Sequence, residues 1–360
     1  MSLSRTTRVS SRYRKVTGFL LAFLAGSMVL GLTGCSSSQS QVGHVVTSHA
    51  GGTYSPAGKA ASTATKVTVG LYAVNAYEID THANTFFFKG YLWLRWKGSV
   101  DPVSSLEFAN SVEEWGLTVT NLTEKPQDLP GGYHLQQIRV QGRFFEPFAL
   151  GNYPLDKQNL QITLEDTIND NSQIVYVPDT KDTTYDSTFQ VPGWKVNGIS
   201  VQANNHTYSN FGDTTAKSAK YSALTFSIGI HRASNLFWWK LLLPLMLVLI
   251  TNWLALLLSP KYSEIRTAMP ATALLTTVFL QQSSLDAIQG VSSLVLMDLI
   301  YVIAYTTIVL TFAQVIWDNH KIKDDDEEVI KGVSRVDRRS FAIQAALTVV
   351  AILVLVITHS

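Results

Sequence analysis

Cysteine is almost absent, and the single Cys35 excludes a disulfide within the chain. Charge is scarce as well: only 15% of residues are Asp, Glu, Lys or Arg and the formal net charge is +1. That balance argues against a nucleic-acid partner and is poor in charge for a soluble protein. Catalytic signatures are also lacking. There is no glycine-rich phosphate loop, no Cys/His metal spacing, and no recognisable nucleophile, base and orienting group. No enzyme activity, cofactor or metal is therefore expected. The acidic run from Asp324 to Glu328 reads as a solvated linker. His44, His49, His82 and His134 have the chemistry of metal ligands or pH sensors, but read more simply as solvated loop or sheet histidines.

Apolar residues are abundant, 46% of 360, and the chain has room for two domains. Arg5, Arg8, Arg12, Arg14 and Lys15 precede an apolar run from Phe19 to Leu32, the layout of a secretory signal peptide. Leu32-Thr33-Gly34-Cys35 then resembles the lipobox of bacterial lipoproteins, which implies lipidation of Cys35; an ordinary signal peptide or an uncleaved anchor is the alternative. We expect a signal peptide over 1–35 and, from a Ser/Gly/Ala/Gln/Thr-rich composition, a flexible linker over 36–65.

Residues 66–232 carry β signals. Val67, Val69, Leu71 and Ala73 alternate, as do Leu92, Leu94 and Trp96, then Leu160, Ile162 and Leu164, then Leu224, Phe226, Ile228 and Ile230. Turn material separates them at Lys97 to Pro102, Pro126 to Gly132, Asn169 to Ser172 and Asn204 to Ala216. The pattern predicts an antiparallel β-sandwich of roughly 8 to 10 strands outside the membrane.

Residues 233–360 follow as a membrane domain with apolar spans at Leu236 to Leu258, Thr267 to Leu285, Val291 to Trp317 and Phe341 to Thr358. Pro244 lies inside the first. Lys261 and Arg266 flank the first and second spans, and Lys321, Lys323, Lys331, Arg335, Arg338 and Arg339 fall between the third and fourth. The positive-inside rule puts both basic loops, including a linker at 318–339, in the cytoplasm, and the sandwich and the C-terminus outside. A four-helix transmembrane bundle in a bacterial inner (plasma) membrane, with the N-terminal domain periplasmic or external, is the resulting expectation.

The second span is too polar to face only lipid. Stepped as a helix, Glu264, Ala268, Thr272, Leu275, Phe279 and Gln282 share one face, which reads as the lining of an aqueous path. A ring of Glu264 would favour cations, and rings of Leu275 and Phe279 would form a narrowing that can dewet. The alternatives are a helix buried among hydrogen-bonding neighbours, or a Glu264 that pairs with Arg266 or Lys261 and faces away.

Phe145 to Leu164, FEPFALGNYPLDKQNLQITL, resembles the signature loop of the pentameric ligand-gated ion channels, the Cys-loop receptor superfamily. Its core is Tyr153-Pro154-Leu155-Asp156-Lys157-Gln158, and the bridging cysteines of the family would fall at Glu146 and Leu160, as in the cysteine-less prokaryotic branch. Arg95-Trp96-Lys97, Pro192-Gly193-Trp194, Arg232, Pro244, Ala273-Leu274-Leu275-Thr276 and Met297-Asp298-Leu299-Ile300-Tyr301 extend the resemblance from Lys66 to Thr358.

The resemblance implies a homopentamer lying in membrane lipid, with a small-molecule or proton agonist and permeant cations as its other partners. It places Glu264 at the cytoplasmic mouth and Leu275 at the central gate, and Pro270 departs from the pattern at a point that would bend the helix. For coupling, it pairs Asp156 with Arg232, rests the Pro154 loop on Leu285 to Val291, and leaves Asp298 as either a packing or a gating contact. For the agonist site it implies Trp115, Thr167, and the hairpin residues His206, Tyr208 and Phe211, faced by Tyr91 of a neighbouring copy. Rings around a bound amine are a common design, but Thr167 lacks one and the hairpin aromatics also suit the cover of a sheet edge. Two other functions fit parts of the sequence: a membrane-anchored ligand-binding sensor without conductance, and a lipid-tethered envelope protein.

Overall fold

The computed structural model describes residues 52–57, 63–208, 220–233, 235–285, 294–322 and 327–359. Cys35 and Phe211 lie outside them. The described residues fall into two compact units, one of 52–149 with 157–233 and one of 150–156 with 235–359.

The first unit is a sandwich. Its strands are β1 (Gly52–Pro56), β2 (Thr65–Asp80), β3 (Thr85–Lys97), β4 (Leu106–Phe108), β5 (Thr118–Asn121), β6 (Gln127–Leu129), β7 (Tyr133–Phe145), β8 (Lys157–Asp166), β9 (Ile174–Pro178), β10 (Thr184–Tyr185), β11 (Trp194–Tyr208) and β12 (Lys220–Arg232). One sheet runs β1-β11-β12-β8-β4. The other runs β10-β2-β3-β7-β5, with β6 on β7 and β9 on β2. The alternating residues behave as a half-buried strand requires: Val67, Val69, Leu71, Leu92, Leu94, Leu160, Ile162, Leu164, Phe226, Ile228 and Ile230 are all fully buried in one core between the sheets. Phe144 on β7 ties the layers together, with ring centroids 5.9, 6.1 and 6.1 Å from Phe86, Phe88 and Phe108. Gly70 lets the indole of Trp93 lie flat against β2, since a Cβ there would stand 2.1 Å from a Trp93 ring carbon.

Five expectations are corrected. The linker at 36–65 is not uniformly irregular: β1 forms within it, because Gly52 to Pro56 find the open backbone edge of β11, and edge pairing asks for N–H and C=O groups rather than apolar side chains. The predicted turn at Asn204 to Ala216 is strand as far as Tyr208, held between β1 and β12. The turn at Pro126 to Gly132 contains β6, and twelve strands stand among the described residues where 8 to 10 were expected. β9 and β10 join β2 in parallel, so the sandwich is not wholly antiparallel.

The second unit is helical. A π-helical stretch, Leu236–Leu242, leads into α1 (Leu243–Leu257), followed by α2 (Ser263–Leu285), α3 (Leu296–Lys321) and α4 (Glu327–His359). Pro244 falls where the π-helical stretch passes into α1, and its missing N–H leaves a carbonyl of the preceding turn without a helical donor at the point where the winding changes. Among the described residues, three helices are long and apolar enough to cross a membrane: Phe237–Leu257, Leu296–Lys321 and Glu327–His359. The 23-residue α2 is more polar and continues unbroken through Pro270. α4 starts well before Phe341, so most of the expected linker at 318–339 is helix. Glu327 and Glu328 suit the positive end of its dipole, and Ile330, Val333 and Asp337 are buried at helical spacing.

A ladder of polar side chains runs inside this unit. Asn252 Nδ2 donates to Thr311 Oγ1 at 3.0 Å, Thr311 Oγ1 to Gln344 Oε1 at 2.8 Å, and Gln344 Nε2 to Gln314 Oε1 at 3.3 Å. Thr307 and Thr348 hydroxyls meet at 2.9 Å. Between apolar helices such pairs hold register where hydrophobic packing alone is indifferent to it.

Candidate functional site

The six residues assigned to one face of α2 keep together. Glu264, Ala268, Thr272, Leu275, Phe279 and Gln282 are all exposed in the single chain, Leu275 at 58% and Phe279 at 66%. Arg266, Pro270, Ala273, Thr277 and Ser284 are buried. At roughly 100° per residue the two sets lie about half a turn apart. Thr276 and Thr277 hydroxyls donate to the carbonyls of Thr272 and Ala273 at 2.9 and 2.8 Å, so they take part in the helix itself. α2 therefore packs on its neighbours by one narrow side and leaves a broad face of acid, hydroxyl, large apolar and amide groups uncovered.

Arg266 does not pair with Glu264, and it is not the loop cation that the topology argument counted. Its partners are Asp337 at 2.7 Å and Asp318 at 3.8 Å, in the interior of the unit.

The signature loop spans the division between the units in sequence, with Leu150–Asp156 counted with the helices. Tyr153, Pro154 and Asp156 are buried, and Gly151 O accepts the N–H of Leu296, the first residue of α3, at 2.9 Å. Leu285 ends α2, and 286–293 lie outside the described residues. Asp298 has a local task, since its carboxylate accepts the Val295 N–H at 3.1 Å and caps α3. Arg232 lies over the Trp194 ring at 4.2 Å, its cross-strand partner.

Glu146 closes the base of this loop on the sandwich side. It is 8% exposed and accepts the Gln161 N–H at 3.1 Å, while Gln158 makes two bonds to the Ala149 backbone, 3.0 and 2.9 Å. Burial raises its carboxyl from 4.5 to about 7, partly offset by the Gln161 N–H.

Of the residues assigned to an agonist site, the structure brings two together. The His206 and Tyr208 rings meet at a tilt with centroids 3.9 Å apart, and Tyr54 of β1 stacks on His206 at 4.1 Å. Below them is Glu165, which the sequence reading missed. It is 2% exposed, accepts His206 Nδ1 at 2.8 Å if that nitrogen carries the proton, and accepts the Tyr208 hydroxyl. Burial first, then Glu165, pushes the Tyr54 and Tyr208 phenols up, so they stay protonated donors. Glu107 is the cross-strand neighbour of Glu165, which makes this an acidic, aromatic corner of the sheet. Trp115 stands 88% exposed in a short 3₁₀ turn, Glu114–Gly116. Thr167 is exposed and bonds Ser105 O at 3.1 Å, and Tyr91 sits on β3 of the other sheet. These three do not join the cluster within one chain. An acid on the outer face of β8 with a His-x-Tyr two strands away was the signal for Glu165.

A β-sandwich unit and a unit of apolar helices, with one helix leaving a polar face uncovered, define a membrane protein with an appended β domain. No protein-family model matches the chain. A search of curated proteins finds a proton-gated ion channel from Gloeobacter violaceus, 24% identical over 204 residues. The match covers 52% of this chain and 55% of that protein, so the chain spans about half the length of its relative.

Proposed function

We propose that the chain is a subunit of a homopentameric ligand-gated ion channel, selective for cations, with five copies of α2 around the pore. The observation that carries this reading is the uncovered face of α2, on which Glu264, Ala268, Thr272, Leu275, Phe279 and Gln282 are all exposed. Residues that face water in an assembly remain uncovered in its subunit, and a ring of five Glu264 carboxylates concentrates cations at the mouth. The similarity to a proton-gated channel supports the same class, and protons are the first agonist to test. The acid and aromatic groups at Glu165, Tyr54, His206 and Tyr208 suit an organic cation as the second.

Lipidation at Cys35 and a periplasmic sandwich in an inner membrane complete the proposal. Asp156, Arg232, Pro154, Leu285 and Asp298 carry gating from the sandwich to the pore; Asp156, 1% exposed, is the first to test by Asp156→Asn. The test of function is current across planar bilayers holding the purified protein, under unequal KCl and over a range of pH and small amines. A cation-directed reversal potential that moves toward zero in Glu264→Gln supports the pore face and the charge ring together. Silence under every condition favours a non-conducting sensor, and an anion-directed potential removes Glu264 from the mouth.

A further inference from the structure

Glu264 and Arg266 stand two residues apart, and along the sequence their charges cancel. In a pore mouth built from such a helix, a free Arg266 would offset the attraction that Glu264 exerts on cations. The structure separates the two. Glu264 is exposed, whereas Arg266 is fully buried about half a turn round α2. Its Nε–H donates to Ala255 O of α1 at 3.0 Å, and Nη2–H donates to Asp337 Oδ2 of α4 at 2.7 Å. Asp318 Oδ2 of α3 stands 3.8 Å from Nη2. One guanidinium thus touches all three other helices. Gln314 Nε2 donates to Asp337 Oδ1 at 2.8 Å, which fixes the carboxylate from its far side and links it to the polar ladder.

Burying an arginine is costly unless a carboxylate meets it. A buried pair with well-packed apolar replacements available would be dispensable for stability, so the charge arrangement calls for another account. We propose that Asp337, seconded by Asp318, is a selectivity-determining positioning residue: it holds Arg266 on the far side of α2 and cancels its charge, leaving the field at the exposed face to Glu264. The inference rests on the pore reading above. A close ion pair presents a dipole to the mouth, and the field of a dipole falls off faster than that of a lone cation. With Asp337 neutral, five under-compensated guanidinium groups would encircle the pore just behind the five glutamates.

The experiment is the reversal potential of the full-length protein in bilayers under a KCl gradient, with Glu264 intact. Asp337→Asn keeps the shape and an acceptor for Nη2 but removes the charge. It is expected to lower the K⁺/Cl⁻ permeability ratio about threefold or more, as a change of order kT in the mouth potential would. Arg266→Met combined with Asp337→Leu removes both charges and is expected to restore the ratio lost in the single variant. Arg266→Gln, which removes only the cation, is expected to raise single-channel cation conductance, and it tests the idea if Asp337→Asn fails to assemble. A wild-type ratio in Asp337→Asn, a ratio that stays low in the double variant, or an unchanged conductance in Arg266→Gln overturns the inference. A potential that responds to Glu264→Gln and not to Asp337→Asn removes this inference alone. A wild-type protein without current removes the pore reading with it.

Discussion

Glu146 should make the sandwich more stable in acid than in base, contrary to the usual behaviour of a paired carboxylate. Its carboxyl is raised from 4.5 to about 7 because burial disfavours the charged form and the Gln161 N–H compensates only in part. A folded-state value above the unfolded one means that the folded protein binds the proton more tightly. The stabilisation is fully present below about 4.5 and is lost as pH rises through about 7. The difference corresponds to about 3 kcal/mol between the two limits, at 1.36 kcal/mol per unit.

Glu146→Gln retains a carbonyl oxygen for the Gln161 N–H and removes the titration, although its amide hydrogens need partners of their own. We therefore expect a net gain of about 2 kcal/mol at pH 8, or roughly 4 to 8 °C, and none at pH 4.5. Thermal unfolding of wild type and variant by intrinsic fluorescence, at half-unit steps from pH 4.5 to 8, reads the difference directly. A Tm difference that is the same at both ends of the range would refute the reasoning, because a purely structural effect of the amide does not depend on pH. In current recordings the same variant should flatten the pH response between 5 and 7 if this proton reports to the pore.

Three further outcomes follow from the geometry. Gly70→Ala places a methyl against the Trp93 indole, which must move and loosen its 3.1 Å bond to Asp179; a loss of about 1–3 kcal/mol in denaturant unfolding is expected, and no loss would mean that the ring is not held there. Leu275→Thr makes a proposed dewetting ring polar, and channels should conduct without agonist at neutral pH; single-channel recordings with closed-state dwell times equal to wild type would count against a gate at that level. Glu165→Gln removes the shared partner of His206 and Tyr208, and about 1–3 kcal/mol of stability should go with it, together with at least a tenfold loss of apparent affinity for any amine agonist.

Much of the sandwich could be read from side-chain alternation, because the period of two at Val67 to Ala73 or Leu224 to Ile230 is imposed by the core on the residues themselves. The face of α2 was legible for the same reason, through the helical period from Glu264 to Gln282. What escaped depends on partners distant in the sequence. β1 carries no apolar pattern, and only the open edge of β11 makes it a strand. Glu165 looks like a solvated acid until rings from Tyr54, His206 and Tyr208 close over it. Arg266 has the sequence context of a loop cation, and nothing local announces Asp337, 71 residues further on. The length of α4 was underestimated because its first turns are charged, and hydropathy locates only the part of a helix that meets lipid.

The pairing of β1 has a practical consequence. Five residues, GTYSP, hold their place by backbone register from Gly52↔Tyr208 to Pro56↔Asn204 and by one ring on His206. A strand attached in this way is exchangeable. In a chain shortened past Pro56 the vacated edge of β11 becomes a receptor for the same sequence supplied as a synthetic peptide. A fluorophore or photocrosslinker on that peptide would then be delivered beside His206 and Tyr208 while the sequence of β2 to β12 stays as it is.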